Sequence, residues 1–526
     1  MNPDYFDLPL LRSHTVQRRL YQEVIFAAST QKNTLVVLPT GTGKTVVAVV
    51  LSAYRLEKAP TSKVVMLAPT RPLVGQHHRR FQQMLLVVPE KLKVITGETP
   101  ASNRVQFWQK SNLLFMTPQT LRNDIEKKRY DLSEVSLLIF DEAHRASGRY
   151  DYVGIADYYV RQAHDPRILA LTASPGNIRV LCDALYIENI EVRTEHSPDL
   201  LPYLQPVGIK YVIVDLPHEY QKVQKTLKEA TQRALLPLIE LGLLRPTYLE
   251  YLCRRDLLKL RKKLGQILRQ GRGAAEPRLY DAMLGIALTL RLSHALEVLQ
   301  TQGVPQLLRY CTSLENQANL PKAPRNVRLL VTTSWYKETR KVLQALATKG
   351  ETHPKHPVLI RVITEQLEKE PASRILVFTR FRVSATILTD LLNQQKEIRA
   401  TRFVGQASRP GDPGLTQREQ LTLLDDFRAN TYNVLVATNI GEEGLDISEC
   451  NLVVFYDSVP SAIRRIQRAG RTGRQSPGNL IVLITRGTRD ESYHRTSLRK
   501  QHTIQKTLIH HARRLRQNPP TDQKNV

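Results

Sequence analysis

A short apolar run, a turn with two glycines and an apolar helix follow one another near the N-terminus. Residues 35–38 predict a buried strand, and residues 46–54 predict a packed helix. A glycine-containing turn between a strand and a helix N-terminus points backbone N–H groups at an anion, which the helix dipole also favours. This order constrains the fold to a strand–loop–helix unit that cradles phosphate. The predicted phosphate loop comprises Pro39, Thr40, Gly41, Thr42, Gly43, Lys44 and Thr45.

Two side chains of the loop carry the predicted chemistry. Lys44 would reach the β- and γ-phosphates, and the Thr45 hydroxyl would bind Mg²⁺. One position departs from the full pattern, because Leu38 stands where the first glycine is expected. On this stretch alone, a chance Gly-Thr-Gly turn at a helix start stays open as the alternative.

Composition limits the classes of partner. A chain of 526 residues is too long for one core and suggests about three units. The net charge of +27 indicates a polyanionic partner, with nucleic acid as the first candidate and an anionic membrane as the second. The alternative, that the charge serves only solubility, is disfavoured because a much smaller charge would suffice. We find no signal peptide and no run as long as a membrane span. Four widely spaced cysteines form no zinc or disulfide pattern, which favours a reducing cytoplasm.

Further apolar strands, each ended by polar residues, follow the loop at 63–67, 112–116, 137–140 and 167–171. Their alternation with helical patterns predicts a parallel α/β sheet. Ligands of such sheets lie at the carboxyl ends of the strands, where all these polar residues fall. The polar residues include Thr70, Arg71, Thr117, Asp141, Glu142, Thr172 and Ser174.

Asp141 and Glu142 directly follow four apolar residues, which disfavours the alternative of an acidic surface turn. Asp141 would hold Mg²⁺ directly or through water, and Glu142 would orient and deprotonate the attacking water. Upstream, the Gln22 side chain has the donors and acceptor that suit the edge of adenine, although a plain surface role is the alternative.

The strand–loop rhythm stops between about 211 and 352, where 219–244 and 280–302 show helical spacing of apolar residues. Between Glu219 and Arg272 there are 13 Lys and Arg against 5 Asp and Glu. This predicts a helical insert whose basic face clamps a phosphate backbone, with an ordinary solvated face as the alternative.

A second α/β domain follows, with strands predicted at 374–378, 400–404, 433–437, 452–456 and 480–484. It has no phosphate loop of its own. Two later segments predict the role of this domain. The glycines and acids at 437–446 form a loop that would touch both a sugar and a nucleic-acid backbone. The arginines at 467–474 would neutralise the charge of a γ-phosphate across a cleft, and the alternative is that they bind another anion.

The end of the chain, 492–521, has seven basic residues and no acid. It predicts a basic helix with a frayed tail that touches nucleic acid or packs against the first domain.

Together these motifs resemble those of superfamily 2 helicases over the whole chain. Within the superfamily, the chain resembles the family of archaeal Hef and the Fanconi anaemia M protein in its helical insert and in segments 19–24, 140–146, 403–408, 441–446 and 458–474. The Asp-Glu-Ala-His tetrad, a DEAH box, does not by itself indicate a splicing-type RNA helicase. The matching segments are 19–22 (Q-type adenine motif), 39–45 (Walker A, in which Leu replaces Gly), 68–71 (Ia), 141–144 (II), 172–174 (III), 438–446 (V) and 467–474 (VI).

The resemblance implies two RecA-like parallel-sheet motor domains with an all-α, thumb-like insert between them. The implied boundaries are 1–208, 209–352, 353–490, and a basic C-terminal helix and tail at 491–526. The implied catalytic residues are Lys44, Asp141, Glu142, Gln467, Arg471 and Arg474. The other implied ATP-binding residues are Arg19, Gln22, the loop Pro39–Thr45, Gly444 and Asp446, and Thr45 and Asp141 are the implied Mg²⁺ ligands. The implied nucleic-acid contacts are Thr70, Arg71, Gly97, Thr117, Arg380, Gly405 and Thr438.

Family membership would imply an ATP- and Mg²⁺-dependent DNA helicase or translocase acting on branched DNA, such as forks and Holliday junctions, in replication-fork repair. We expect a monomer in the cytoplasm, associated with the nucleoid and with no membrane. Archaeal Hef often continues into an XPF-type nuclease, whereas this sequence stops shortly after its motor motifs. We therefore expect no nuclease in this chain and a possible nuclease or clamp partner in trans. The alternatives are a duplex-RNA-directed ATPase resembling RIG-I or Dicer, a nucleic-acid-binding scaffold without hydrolysis, and a translocase that does not separate strands.

Overall fold

A computed structural model of the chain describes residues 4–204, 207–246, 252–269, 276–408, 412–438, 450–458 and 478–517. The chain forms two compact units. We call them the sheet unit (Met1–Lys210, Gln366–Val482 and Tyr493–Val526) and the helical unit (Tyr211–Glu365 and Leu483–Ser492).

The first sheet has seven parallel strands, as the strand rhythm predicts. Their order across the sheet is β3-β4-β2-β5-β6-β1-β7. The strands are β1 (Thr34–Val37), β2 (Lys63–Leu67), β3 (Leu92–Ile95), β4 (Leu113–Met116), β5 (Val135–Phe140), β6 (Ile168–Thr172) and β7 (Asn189–Val192). The helices that accompany them are α1 (Leu20–Gln31), α2 (Lys44–Lys58), α3 (Arg71–Met84), α4 (Ala101–Lys110), α5 (Pro118–Glu126), α6 (Asp151–Gln162) and α7 (Ile178–Ala184).

Both faces of this sheet are buried. Leu35 and Val37 of β1 pack into one hydrophobic core, whereas Val36 and Leu38 pack into the other. Side chains alternate between the faces of a strand, so a strand covered by helices on both sides must be apolar throughout. This is why the central strands are recognisable as continuous apolar runs.

The sequence analysis missed the two edge strands, β3 and β7. Their sequences, Leu-Lys-Val-Ile and Asn-Ile-Glu-Val, contain polar residues and are only partly buried. An edge strand is covered less completely than a central one, so it lacks the continuous apolar run that marks its neighbours.

The helical unit contains a bundle with its own core, formed by residues such as Tyr220, Leu299, Leu307 and Leu343. The helices of this region are α8 (His218–Glu240), α9 (Arg254–Arg269), α10 (Glu276–Gln302), α11 (Val304–Ala318), α12 (Arg325–Thr332), α13 (Ser334–Thr348) and α14 (Lys355–Lys369). The predicted helical insert between the two sheets is confirmed. Its predicted start at 209 nevertheless falls within a strand, β8 (Val207–Val214), which belongs to the second sheet and which the sequence analysis missed. The four domain boundaries themselves stay a prediction.

The sequence analysis found no run as long as a membrane span, but one helix in the described part of the chain, at Pro277–Gln302, is long and apolar enough to cross a membrane by length and composition alone. It packs against α8, α9, α11 and α12, and 44% of its most apolar window is buried. A buried core helix passes the same test, so this helix is weak evidence for a membrane span.

The second sheet has the strand order β10-β11-β9-β12-β13-β8. Its strands are β8 (Val207–Val214), β9 (Ile375–Phe378), β10 (Ala400–Phe403), β11 (Val434–Ala437), β12 (Leu452–Phe455) and β13 (Gly478–Thr485). The remaining helices are α15 (Arg382–Leu392), α16 (Gln417–Arg428) and α17 (Arg489–Gln517). Leu508 of α17 is buried in the core on one face of the first sheet, with Ala512 beside it. Of the two roles predicted for the basic C-terminal helix, packing against the first domain is therefore observed.

Candidate nucleotide and nucleic-acid sites

The phosphate loop lies between β1 and α2, where the sequence predicts it. Gly41 and Gly43 have φ values of +82° and +87°, a left-handed conformation that side chains other than glycine adopt rarely. Gly43 is also crowded, since a Cβ atom there would lie 2.3 Å from Nε2 of Gln22. Lys44 begins α2 directly after Gly43, so the N-terminus of the helix faces the loop.

Leu38 explains how the loop forms without its first glycine. Its side chain is fully buried in the core, while its backbone carbonyl accepts a hydrogen bond from Lys44 Nζ at 3.0 Å. Pro39 O accepts a second hydrogen bond from Lys44 Nζ at 3.1 Å. At position 38, therefore, only the backbone carbonyl takes part in the loop, while the side chain packs in the core.

Gln22 lies against the loop rather than on the surface. Its side chain is buried, and its Nε2 donates to Tyr21 Oη at 3.2 Å and to Thr42 O at 3.4 Å. Tyr21 Oη donates to the same carbonyl at 2.6 Å. The alternative of a plain surface glutamine is therefore wrong, whereas the adenine contact stays a prediction.

Asp141 follows β5 and is held on three sides. Its backbone N–H donates to Leu67 O at 2.9 Å, and its carbonyl accepts from Tyr152 Oη at 2.7 Å. Its carboxylate Oδ2 lies 2.8 Å from His77 Nε2 on α3. Burial raises the pKa of Asp141, but the charge and hydrogen bond of His77 together with the Lys44 charge outweigh burial, so the pKa lies below its usual value. Asp141 is therefore a buried carboxylate that stays ionised.

Glu142 has a left-handed backbone, with φ 49° and ψ 46°. This conformation is uncommon for a residue with a side chain and costs about 1–3 kcal/mol, which proteins tend to accept at functional sites. His144 Nδ1 lies 3.3 Å from Glu142 Oε2 and also 3.3 Å from Thr172 Oγ1 at the end of β6. The imidazole ring of His144 thus lies between the ends of β5 and β6.

The loop and Asp141 fit a magnesium ion. Their donor groups, a threonine hydroxyl and one buried carboxylate close to Lys44, are hard oxygen ligands. Within the described residues, no group of three or more His, Cys, Asp or Glu could hold a metal by itself. That is the expected pattern for Mg²⁺, which usually takes one or two carboxylates and completes its shell with substrate phosphate and water.

The strand order divides the candidate residues of the first sheet into two groups. The phosphate loop and the acidic pair Asp141–Glu142 follow β1 and β5, whereas the nucleic-acid candidates follow β2, β3 and β4, which are adjacent at one side of the sheet. All of these lie at the carboxyl edge, so one edge carries two neighbouring candidate sites. The nucleic-acid group consists of Thr70, Arg71, Gly97 and Thr117.

Within this group, Arg71 is paired with Glu98, and both side chains are exposed. A Cβ at Gly97 would lie 3.8 Å from Arg71 Nη2, so the two residues are close neighbours. Thr70 precedes α3 and Thr117 precedes α5, where the Thr117 hydroxyl lies 2.8 Å from that of Thr120. Helix N-termini at both positions suit contact with a phosphate backbone.

The second sheet repeats the arrangement. Arg380, Gly405 and Thr438 follow β9, β10 and β11, which are again adjacent strands. The Arg380 N–H donates to Asp457 Oδ2 at 2.8 Å, and its guanidinium lies over the rings of Phe381 and Tyr493.

The Gly405 carbonyl accepts from Arg382 Nη2 at 2.6 Å, so its loop is fixed in place. The nucleic-acid contacts of these residues stay predictions. The predicted residues Gly444, Asp446, Gln467, Arg471 and Arg474 lie outside the described part of the chain.

The sequence analysis missed three residues that organise these sites. His77 and Tyr152 hold Asp141, and Arg382 holds the Gly405 loop. His77 is six residues from Arg71 on α3, and no spacing rule connects it to the Asp141 position. Only the adjacency of β2 and β5 brings them together.

Comparison with known protein families finds three matches along the chain. Residues 15–181 match the DEAD/DEAH box helicase family, and residues 355–476 match the helicase conserved C-terminal domain. Residues 219–349 match a helical bundle provisionally named after an ATP-dependent RNA helicase.

Individual relatives cover nearly the whole chain. A Methanocaldococcus jannaschii protein, provisionally named an ATP-dependent RNA helicase, is 34% identical over 96% of this chain and 62% of its own length. The DEAD-box ATP-dependent DNA helicase Fancm of Drosophila melanogaster is 32% identical over 93% of this chain and 34% of its own length. This chain therefore spans less than two thirds of these relatives.

One solved structure matches over its full length. The crystal structure of the Pyrococcus furiosus Hef helicase domain is 42% identical, with a TM-score of 0.74, and the match covers 93% of this chain and 100% of that domain.

Proposed function

The chain belongs to the Hef and Fanconi anaemia M family of superfamily 2 ATP-dependent helicases, and from this premise we propose that it acts on branched DNA. Forks and Holliday junctions are the proposed substrates, in replication-fork repair on nucleoid DNA in the cytoplasm. The observation that carries the proposal is the 42% identity to the Hef helicase domain over 93% of the chain. The D. melanogaster relative, which is named a DNA helicase, supports DNA as the polymer.

In the proposed mechanism, the phosphate loop binds ATP and Asp141 keeps an ionised carboxylate beside Lys44. Bound Mg²⁺ would neutralise phosphate charge as it develops. Thr45 and Asp141 would hold this ion, and Lys44 would leave the carbonyls of Leu38 and Pro39 to reach phosphate oxygens.

Glu142 acts on the attacking water. Its side chain is 18% exposed, so its carboxylate can accept a proton from a water molecule at the edge of the sheet. Its left-handed backbone fixes the direction of the side chain as it leaves the strand. In this proposal Arg471 and Arg474 supply positive charge at the γ-phosphate from the second motor domain.

The basic face of α9 supports a contact between the helical unit and a phosphate backbone. Leu257 and Leu264 are buried, while seven cations on the same helix are exposed and Asp256 is its one acid. Binding through backbone charges is independent of base sequence and weakens as salt rises. An ordinary solvated face stays the alternative. The seven cations are Arg254, Arg255, Lys259, Arg261, Lys262, Lys263 and Arg269.

A second candidate function is an ATPase directed at duplex RNA. The provisional name of the M. jannaschii relative and of the matched helical bundle favours it. The residues of the ATP site do not distinguish the two sugars, so the choice depends on the nucleic acid that stimulates hydrolysis.

ATP hydrolysis across a panel of nucleic acids tests the proposal. The panel holds single-stranded, duplex, fork and four-way DNA and duplex RNA. We expect fork and four-way DNA to stimulate most, whereas strongest stimulation by duplex RNA would replace the proposal with its alternative.

Lys44→Ala and Glu142→Gln should abolish stimulated hydrolysis. Lys58→Ala, at the other end of α2, and Glu134→Gln, at the other end of β5, are matched controls that should keep it. Wild-type turnover in Lys44→Ala or Glu142→Gln would remove the assigned roles.

A further inference from the structure

An exposed tyrosine, Tyr203, lies beside the predicted adenine motif. The guanidinium carbon of Arg19 is 4.9 Å from the centre of the Tyr203 ring. The Tyr21 and Tyr203 rings are 5.6 Å apart with a 56° angle between their planes. The Tyr203 ring is 36% exposed, so it contacts Arg19 from a position open to solvent.

The backbone around Tyr203 is fixed to the first sheet domain. Leu200 is fully buried in the core next to the phosphate loop, and the Tyr203 N–H donates to Leu200 O at 3.0 Å. Upstream, Arg193 Nε donates to Asp199 Oδ2 at 2.5 Å, and the Arg193 N–H donates to Val37 O at the end of β1. The backbone segment that carries Tyr203 is therefore anchored to β1, the strand that leads into the phosphate loop.

Tyr21 also connects Tyr203 to the loop itself. The Tyr21 and Tyr203 rings pack against each other, and Tyr21 Oη donates to Thr42 O in the phosphate loop at 2.6 Å. Burial raises the pKa of Tyr21, and the Arg19 side chain partly opposes this. Tyr203 therefore contacts Arg19 directly and reaches the phosphate loop through Tyr21.

We propose that Tyr203 is a positioning residue for base recognition, whose ring holds the Arg19 guanidinium flat so that its opposite face stacks on the purine base of the nucleotide. A guanidinium is planar and stacks on aromatic faces, so one face can rest on tyrosine while the other meets a base. This inference rests on the proposed function as an ATP-dependent helicase, in which segment 19–22 is the adenine motif that the family resemblance implies.

Loss of the Tyr203 ring should weaken binding of the nucleotide base without weakening binding of the phosphates. Loss of the ring lets Arg19 sample other rotamers, which weakens stacking on the base but leaves the phosphate loop intact. An exposed cation–π contact accounts for about a twofold to fivefold change in binding. The effect belongs in KM, because Tyr203 does not approach the residues that activate water.

The test compares Tyr203→Ala and Tyr203→Phe in the full chain. Tyr203→Ala should raise KM for ATP about twofold to fivefold with kcat unchanged, and should reduce the preference for ATP over GTP. Tyr203→Phe keeps the ring face and should behave as the wild type. Inorganic tripolyphosphate, which lacks a base, should inhibit all three proteins equally.

Tyr186→Ala is the matched control. Tyr186 is 38% exposed and precedes β7, so it lies at the edge of the same sheet opposite the phosphate loop. Its KM for ATP should equal that of the wild type.

An unchanged KM for ATP in Tyr203→Ala would overturn the inference, and so would equal weakening of ATP and tripolyphosphate. Failure of the proposed function would instead appear in the wild-type chain, either as no ATP hydrolysis with any nucleic acid or as strongest stimulation by duplex RNA.

Discussion

His77 offers a direct test of how the carboxylate of Asp141 is positioned. Its Nε2 lies 2.8 Å from Asp141 Oδ2, and the two side chains are 6% and 10% exposed. The backbone of Asp141 is held separately by Leu67 and Tyr152. Replacing His77 should therefore release the side chain of Asp141 without moving its main chain.

The magnitude follows from the kind of hydrogen bond that is lost. A hydrogen bond to a charged group contributes about 1.5–3 kcal/mol, and the loss leaves a buried carboxylate oxygen without this donor. If the whole loss appears in Mg²⁺ binding, the affinity of the nucleotide complex for Mg²⁺ falls about 10- to 150-fold, which we take as the upper range. His77→Gln should recover part of it, because an amide nitrogen can also donate.

The assay is a Mg²⁺ titration of a fluorescent ADP analogue bound to His77→Ala. We expect weaker binding of Mg²⁺ and unchanged affinity for the nucleotide without Mg²⁺. His78→Ala is the matched control, since His78 is the next residue on α3 and packs edge-on against Phe115. A Mg²⁺ curve for His77→Ala that overlays the wild type would refute the reasoning.

Two further predictions concern stability and reactivity. Lys355 and Asp490 form an ion pair whose side chains are 0% and 4% exposed, so Asp490→Ala should lower the free energy of unfolding by about 3–5 kcal/mol, measured in urea by circular dichroism. The double variant Lys355→Met/Asp490→Leu should regain most of this loss, and a single variant within about 1 kcal/mol of the wild type would contradict the role of the pair. Native chain should show one fast thiol towards Ellman's reagent at pH 8, at exposed Cys253, because the other three cysteines are buried. Burial raises the pKa of Cys182 to about 12 and of Cys311 to about 11, and Cys450 is only 1% exposed. Fast labelling of more than one thiol before unfolding would show that these cysteines are not buried in solution.

Local patterns of the sequence predict much of this protein. The phosphate loop, the acidic pair after β5 and the central strands are each defined by residues adjacent in the chain. A strand buried on both faces needs an apolar run, and a phosphate cradle needs glycine at positive φ, so both leave a mark within a few residues. The edge strands β3 and β7 leave no such mark, because they are only partly buried.

The tertiary structure alone decided which residues meet. The strand order separates the phosphate loop and the acidic pair, which follow β1 and β5, from the nucleic-acid candidates, which follow β2, β3 and β4. It also brings His77 to Asp141, and packing of the segment after β7 brings Tyr203 to Arg19. The hydrophobic pattern of a strand predicts that the strand is buried, but it does not predict which strand lies beside it. That choice depends on how the crossover helices pack over the whole sheet, which is a property of the folded chain.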